Sequence, residues 1–197
     1  LSTGMNDIKS IGKSVDIMRK YKIQFALLHT TNIYPTDNKL IRLGAISELA
    51  SNFPDAVVGL SDHSLSNHAC FGAVALGASI LERHFTDSMK RDGPDIICSM
   101  DGPTAKDLIE GVNILFDQRG GKKEAIKEEQ ATINFAFATV VTIKAIKKGE
   151  AFTEKNIWVK RPGTGQIKAE KFKEILGKKA ACDLDIDIHL KNKHIGK

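Results

Sequence analysis

Between Asn6 and Lys20, the apolar residues Ile8, Ile11, Val15 and Met18 recur every three or four positions, the period of an amphipathic helix. Asn6 or Asp7 stands in front of them as a suitable N-cap. Ile23–Thr30 (IQFALLHT) is then an apolar run of strand length. Leu40, Leu43, Ile46, Leu49 and Phe53 restore the helical spacing, and Ala56–Leu60 (AVVGL) predicts a second strand. A small-residue helix is expected from Ser66 to Leu76 and a third strand over Ala78–Phe85. Pro103–Asp117 predicts a closing helix with Leu108, Val112 and Leu115 inward and Asp101 near its start.

Strands alternating with helices predict βα units around a parallel sheet. Near-continuous apolar strands point the same way. In such folds ligands gather at the carboxyl ends of the strands. The polar clusters fall there: Ser2-Thr3-Gly4, His29-Thr30-Thr31-Asn32, Ser61-Asp62-His63 and Glu82-Arg83-His84. Four βα units are half of an eight-stranded barrel, and Leu1 is expected to close a strand whose beginning lies outside this chain.

The pattern changes at Arg119. RGGKKEAIKEEQ is charged without a convincing apolar face, and short β-type runs follow: Phe137–Ile146, IWVKRPGTG and the tail ACDLDIDIHL, with a short helix around Ala169–Ile175. The expected organisation is residues 1–118 as an α/β domain, 119–135 as linker and 136–197 as a small, mostly β domain.

Composition narrows the function classes. Of 197 residues, 42% are hydrophobic, enough for a core, yet no apolar run approaches the ~18 residues of a membrane span. Net charge is +5 with only 6% aromatics. That balance argues against a base-stacking nucleic-acid partner and suits an anionic small substrate. Cys70, Cys98 and Cys182 share no metal-type spacing and read as reduced thiols of a cytoplasmic protein.

His63 follows one strand and His84 closes the next. Adjacent strands lie about 4.8 Å apart, so both imidazoles can reach one divalent ion with open positions, Mn²⁺ foremost and Mg²⁺ or Co²⁺ as alternatives. The competing reading is that each hydrogen-bonds locally at its strand end. Glu82 shares the His84 face by strand alternation and is either an acid–base group or an ion-pair partner. Asp95, in RDGPDI, is either held at the site by its Gly-Pro turn or a plain turn residue. Ser2 and Ser61 offer hydroxyls at matching strand ends, a helix-capping role being the competing reading for Ser2. Asn32 and Tyr34 could hydrogen-bond an anion and a sugar or belong to a plain structural loop, and His29 is expected to face inward with a hydrogen bond. His68, His189 and His194 receive no role.

LSTGM, HTTNIYPT, GLSDHS, ALGASILERHFT, GPD and VKRPGTG occur in this order. Together they closely resemble the bacterial sialic acid synthase family, which includes N-acetylneuraminate and legionaminic acid synthases, over essentially the whole chain. The resemblance implies the second half of a TIM (β/α)8 barrel followed by an antifreeze-like SAF domain, usually in a domain-swapped homodimer. It implies condensation of phosphoenolpyruvate with N-acetylmannosamine to N-acetylneuraminate and phosphate. By resemblance, His63 and His84 hold Mn²⁺, and Ser2, Asn32 and Ser61 contact phosphoenolpyruvate. Tyr34, Glu82 and Asp95 face the sugar and the reacting centre, and Arg161 reaches the sugar N-acetyl group across the dimer. The family's first four strands are absent from this chain, so it is expected to be nearly inactive alone.

A legionaminic acid synthase acting on a 2,4-diacetamido hexose fits TTNIYPT equally, whereas pseudaminic synthases resemble this loop less well. A non-catalytic sugar- or ice-binding module is the distant alternative, disfavoured by the charges in IKKGEAFTEKNIWVKRPGTG.

Overall fold

The structure, a computed structural model, describes residues 1–196. It divides into two compact units, Leu1–Lys122 and Lys123–Lys197, the second described here to residue 196.

The large unit is built on a parallel sheet in the order β1-β2-β3, with β1 Ala26–Thr30, β2 Val57–Asp62 and β3 Ile80–Arg83. Single bridges extend it on both sides: Ser2 pairs parallel with Leu28, and Phe85 with Met100. The helices α1 (Ile8–Lys20), α2 (Gly44–Asn52), α3 (His68–Ala75) and α4 (Gly102–Gln118) alternate with these strands. Ile11 and Val15 of α1, Ile46 and Leu49 of α2, Cys70 and Ala73 of α3 and Leu108 of α4 join Leu27, Val58 and Leu60 in one core. Because strand side chains alternate, that core takes one face of the sheet. The other face carries Leu28, Gly59, Ser61 and Glu82, with Val57 and Ile80 exposed.

Local chemistry sets the ends. The Asp7 carboxylate accepts the Ser10 amide at 2.7 Å and starts α1. Asp101 does the same for α4, accepting from the Thr104 amide at 3.0 Å. β1 and β3 are shorter than their apolar runs, whereas β2 starts one residue after its run begins and extends past it to Asp62. Ile23 and Gln24 lie outside β1 and are exposed, because the chain leaves α1 through Lys22 at φ 56°. The second helical pattern also breaks: Leu40 sits in a 3₁₀ turn, and Arg42 at φ 52° separates it from α2.

The small unit holds α5 (Gln130–Ala136), the antiparallel pair β4 (Thr139–Thr142) and β5 (Ile157–Lys160), and α6 (Phe172–Ile175). Its separate core contains Val140, Ile146, Phe152, Ile157 and Leu190. The stretch 119–135, read as linker, contains a 3₁₀ turn at Lys127–Glu129 and most of α5. The turn forms because the Glu129 carboxylate accepts the Ile126 amide at 3.1 Å. The β-type run Phe137–Ile146 is strand only over Thr139–Thr142, and the tail contributes isolated bridges such as Val141 with His189. No helix among the described residues is long and apolar enough to cross a membrane.

Candidate functional site

Register fixes which side chains meet at the carboxyl ends of the strands. Thr30 pairs with Ser61, and Ser61 with Glu82, so these three form a row on the face away from the core. Ser2 joins the row through a 2.9 Å contact between its Oγ and Thr30 Oγ1. Glu82 is exposed. The row thus presents three hydroxyls and one carboxylate across four neighbouring chain segments.

One step beyond, on the same face, lie His63 and His84. Their ring centroids are 5.2 Å apart and the rings are nearly perpendicular, at 89°. His63 is buried, with Nδ1 3.1 Å from the carbonyl oxygen of Thr31. A carbonyl only accepts, so Nδ1 carries the proton and the neutral ring keeps a free lone pair on Nε2. Tyr34 covers this ring, 4.0 Å between centroids and 28° between planes, and also approaches His84 edge-on at 5.7 Å. The Thr36 amide donates to the His63 carbonyl at 2.9 Å. The loop that carries Tyr34 is therefore bolted to the residue it covers.

Asp95 reaches the pair from a different direction. It precedes a 3₁₀ turn over Ile96–Cys98, and its own carbonyl accepts the Ser99 hydroxyl at 2.8 Å. The chain returns through the Met100 amide, 2.8 Å from the His84 carbonyl. This places Asp95 Oδ2 3.5 Å from His84 Nδ1. A carboxylate behind one imidazole and a backbone carbonyl behind the other is the outer-shell pattern that orients metal-binding histidines.

Among the described residues, no group of three or more His, Cys, Asp and Glu side chains is arranged to hold an ion. The chain thus offers two imidazoles, a donor set that a divalent transition ion with several open positions accepts.

Other expected site residues lie elsewhere. Asn32 packs against the strand-end turn beside Ser2, where a Cβ on Gly4 would sit 2.3 Å from Asn32 Oδ1. Arg161 belongs to the small unit and follows β5, exposed. His29 does not face inward: it shares the parity of Leu27, is buried in the helix layer and lies 2.7 Å from the Ile41 carbonyl through Nε2. Thr30 was a member of a polar cluster but had no assigned role; only the register reveals it as part of the row.

Behind the histidines lies a buried polar network. Arg83 and Asp62 pair at 3.2 Å with side chains 1% and 2% exposed. Burial and the nearby Asp62 carboxylate push the Cys70 thiol up to about 12, so it stays protonated. An arginine alternating with Leu81 on an apolar face was the available signal, since a buried guanidinium requires partners.

Comparison with known proteins supplies the class. The NeuB family model matches residues 1–124, and the SAF domain model matches residues 137–193. The chain belongs to the NeuB family. This is the sialic acid synthase family, and the second match gives the chain a SAF domain. The large unit is its α/β part and the small unit its minor β part. The N,N'-diacetyllegionaminic acid synthase of Campylobacter jejuni is 38% identical over 90% of this chain and 54% of its own length. The pseudaminic acid synthase of the same species is 34% identical over 97% of this chain and 55% of its own. The N-acetylneuraminic acid synthetase of Leptospira borgpetersenii, solved with citrate, superposes with a TM-score of 0.64 at 33% identity. That match covers 68% of this chain and 47% of the other. The chain spans about half the length of the curated relatives it matches. Membership makes it an enzyme-family chain of sialic-acid-type sugar biosynthesis.

Proposed function

We propose that the large unit is the second half of a TIM (β/α)8 barrel, and that the intact protein condenses phosphoenolpyruvate with N-acetylmannosamine. The products are N-acetylneuraminate and phosphate. The observation that carries this is the His63–His84 pair, held from behind by Thr31 and Asp95 and covered by Tyr34, above a row of hydroxyls.

His63 and His84 would hold a divalent ion, Mn²⁺ foremost, through Nε2. Bound there, the ion supplies Lewis-acid polarisation of the sugar aldehyde oxygen. Ser2, Thr30 and Ser61 offer O–H donors to the phosphate or carboxylate of phosphoenolpyruvate, assisted by Asn32 near Gly4. Tyr34 excludes water from His63 and presents its phenol to the sugar. Carbon 3 of phosphoenolpyruvate attacks the aldehyde carbon, water adds at carbon 2, and the adduct collapses by releasing phosphate. Glu82 and Asp95 are the two carboxylates placed to move protons in these steps. Arg161 is proposed to recognise the N-acetyl group in a domain-swapped homodimer, and the protein to act in the cytoplasm.

A second acceptor is favoured by one finding. The 38% identity to a protein named N,N'-diacetyllegionaminic acid synthase supports a 2,4-diacetamido hexose in place of N-acetylmannosamine. Phosphate release from phosphoenolpyruvate with Mn²⁺ and each sugar separates the two. We expect turnover from a polypeptide extended upstream of Leu1 by four βα units, and background release from the 197-residue chain alone. Release with neither sugar in the extended protein would overturn the reading.

A further inference from the structure

In a strand, neighbouring residues point to opposite faces. Asp62 immediately precedes His63, and Arg83 immediately precedes His84. Asp62 and Arg83 are register partners on β2 and β3. The two histidines and the two charged residues therefore form pairs back to back across the sheet.

The hidden pair is gripped from several sides. Arg83 Nη2 donates to the Ser64 carbonyl at 2.8 Å, and Nη1 to Asn67 Oδ1 at 2.6 Å. The Asp62 carboxylate accepts from the Ser64 amide at 3.0 Å and the Ser64 hydroxyl at 2.9 Å. Asn67 Nδ2 passes the network to α4, donating to Asp107 Oδ2 at 2.8 Å and the Thr104 carbonyl at 3.0 Å. His63 is thus bracketed by two anchored residues, Asp62 and Ser64. Both anchors touch the guanidinium that grows from the residue before His84, Asp62 as its ion-pair partner and Ser64 through its carbonyl. A single planar group sets the spacing of the two strand ends.

Stability gives weak grounds for burying such a pair. Removing two charges from water is unfavourable, and an apolar pair of similar volume often serves as well or better. Arg83 Nε also lacks a well-aligned hydrogen bond, although it touches Asp62. What the guanidinium does supply is direction, because its fork is rigid and planar.

We propose that Asp62 and Arg83 are positioning residues that fix the separation and orientation of His63 and His84 from behind the sheet. The claim concerns the imidazoles themselves and depends on the functional reading only for what they hold.

The test uses the metal-free 197-residue chain and side-chain ¹⁵N–¹H spectra of its histidines at constant pH. In the unsubstituted protein, the His63 Nδ1 proton should be protected by Thr31 and ring-shifted by Tyr34. Arg83→Lys keeps the charge and loses the fork; we expect it to shift or broaden the His63 and His84 signals and to unprotect that proton. Mn²⁺ titration of the same variant should show affinity about 10–100-fold weaker. Leu108→Ala, which only loosens the core, should lower the melting temperature without moving either imidazole. If Arg83→Lys fails to fold, the apolar double variant Asp62→Leu/Arg83→Met takes its place, with the same expected loss. Unchanged histidine signals in the folded variant overturn the proposal. Shifted signals in a protein that never binds Mn²⁺ uphold it and overturn the metal reading instead.

Discussion

The Tyr34 ring lies on the imidazole of His63, 4.0 Å between centroids and 28° between planes. Such pairs contribute about 0.5–1.5 kcal/mol beyond the area they bury. Tyr34→Ala should therefore loosen His63 and weaken Mn²⁺ binding roughly 2–10-fold by the same scale. Tyr34→Phe keeps the ring and should retain the affinity. Calorimetric titration of both variants decides whether the face of the ring or its hydroxyl matters to the imidazole.

Gly59 is where β2 meets its neighbours most closely. A Cβ there would lie 2.3 Å from the Ile80 carbonyl oxygen and 2.5 Å from Leu28 Cδ2. The oxygen is backbone and has no room to withdraw without parting β2 from β3. Gly59→Ala should cost about 1–3 kcal/mol or more, as overpacking does, read as a lower urea midpoint by circular dichroism.

Two histidines make the protein acid-sensitive. Burial, aided by the Arg42 charge and opposed by the Ile41 carbonyl, holds His29 below its ordinary 6.5. Burial, with Lys193 and Lys191, does the same for His194. A lowered histidine binds its proton more readily when unfolded, so its stabilisation is full above pH 6.5 and is lost as pH falls below that value. The lowered carboxylates Asp7, Asp55 and Asp101 act only below their ordinary 3.8. The loss just below neutrality should therefore be histidine-driven. Trp158, the single tryptophan, belongs to the small unit, so its fluorescence follows His194. His194→Gln should flatten that transition's pH dependence between pH 7 and 5, and His29→Gln should leave it unchanged.

The RPGTG loop hangs on one buried hydroxyl. Thr139 Oγ1 accepts the Gly165 amide at 3.2 Å and contacts His189 Nδ1 at 2.7 Å. The loop's other glycine amide, Gly163, donates to the Asn134 carbonyl at 2.8 Å. Thr139→Val removes the acceptor and leaves the half-buried Gly165 amide and His189 without this partner, at about 1–3 kcal/mol or less. Amide hydrogen exchange should accelerate at Gly165 and much less at Gly163.

Much of this was legible in the chain, for reasons that differ by residue. The periodicity of Ile8, Ile11 and Val15 located α1 because burial on one face dictates composition there. His63 and His84 stood out because polar residues ended apolar runs. The strand alternation that puts Glu82 on the face of Ser61 also assigns His29 to the Leu27 side, a parity that its place in a polar cluster concealed. Arg42 could not be read as a helix breaker, since a left-handed backbone at a non-glycine residue follows from tertiary fit. The Asp62–Arg83–Asn67–Asp107 network was out of reach for a related cause: its members come from four elements, and only packing brings them together.

The cysteines carry a practical consequence. Cys70 and Cys98 are buried while Cys182 is exposed on the small unit, and burial raises the thiols of both Cys70 and Cys98. A maleimide spin label offered at neutral pH should therefore attach at one place without any engineering. Paired with paramagnetic Mn²⁺ at the other unit, it would turn the arrangement of the two units in solution into a distance read by pulsed resonance.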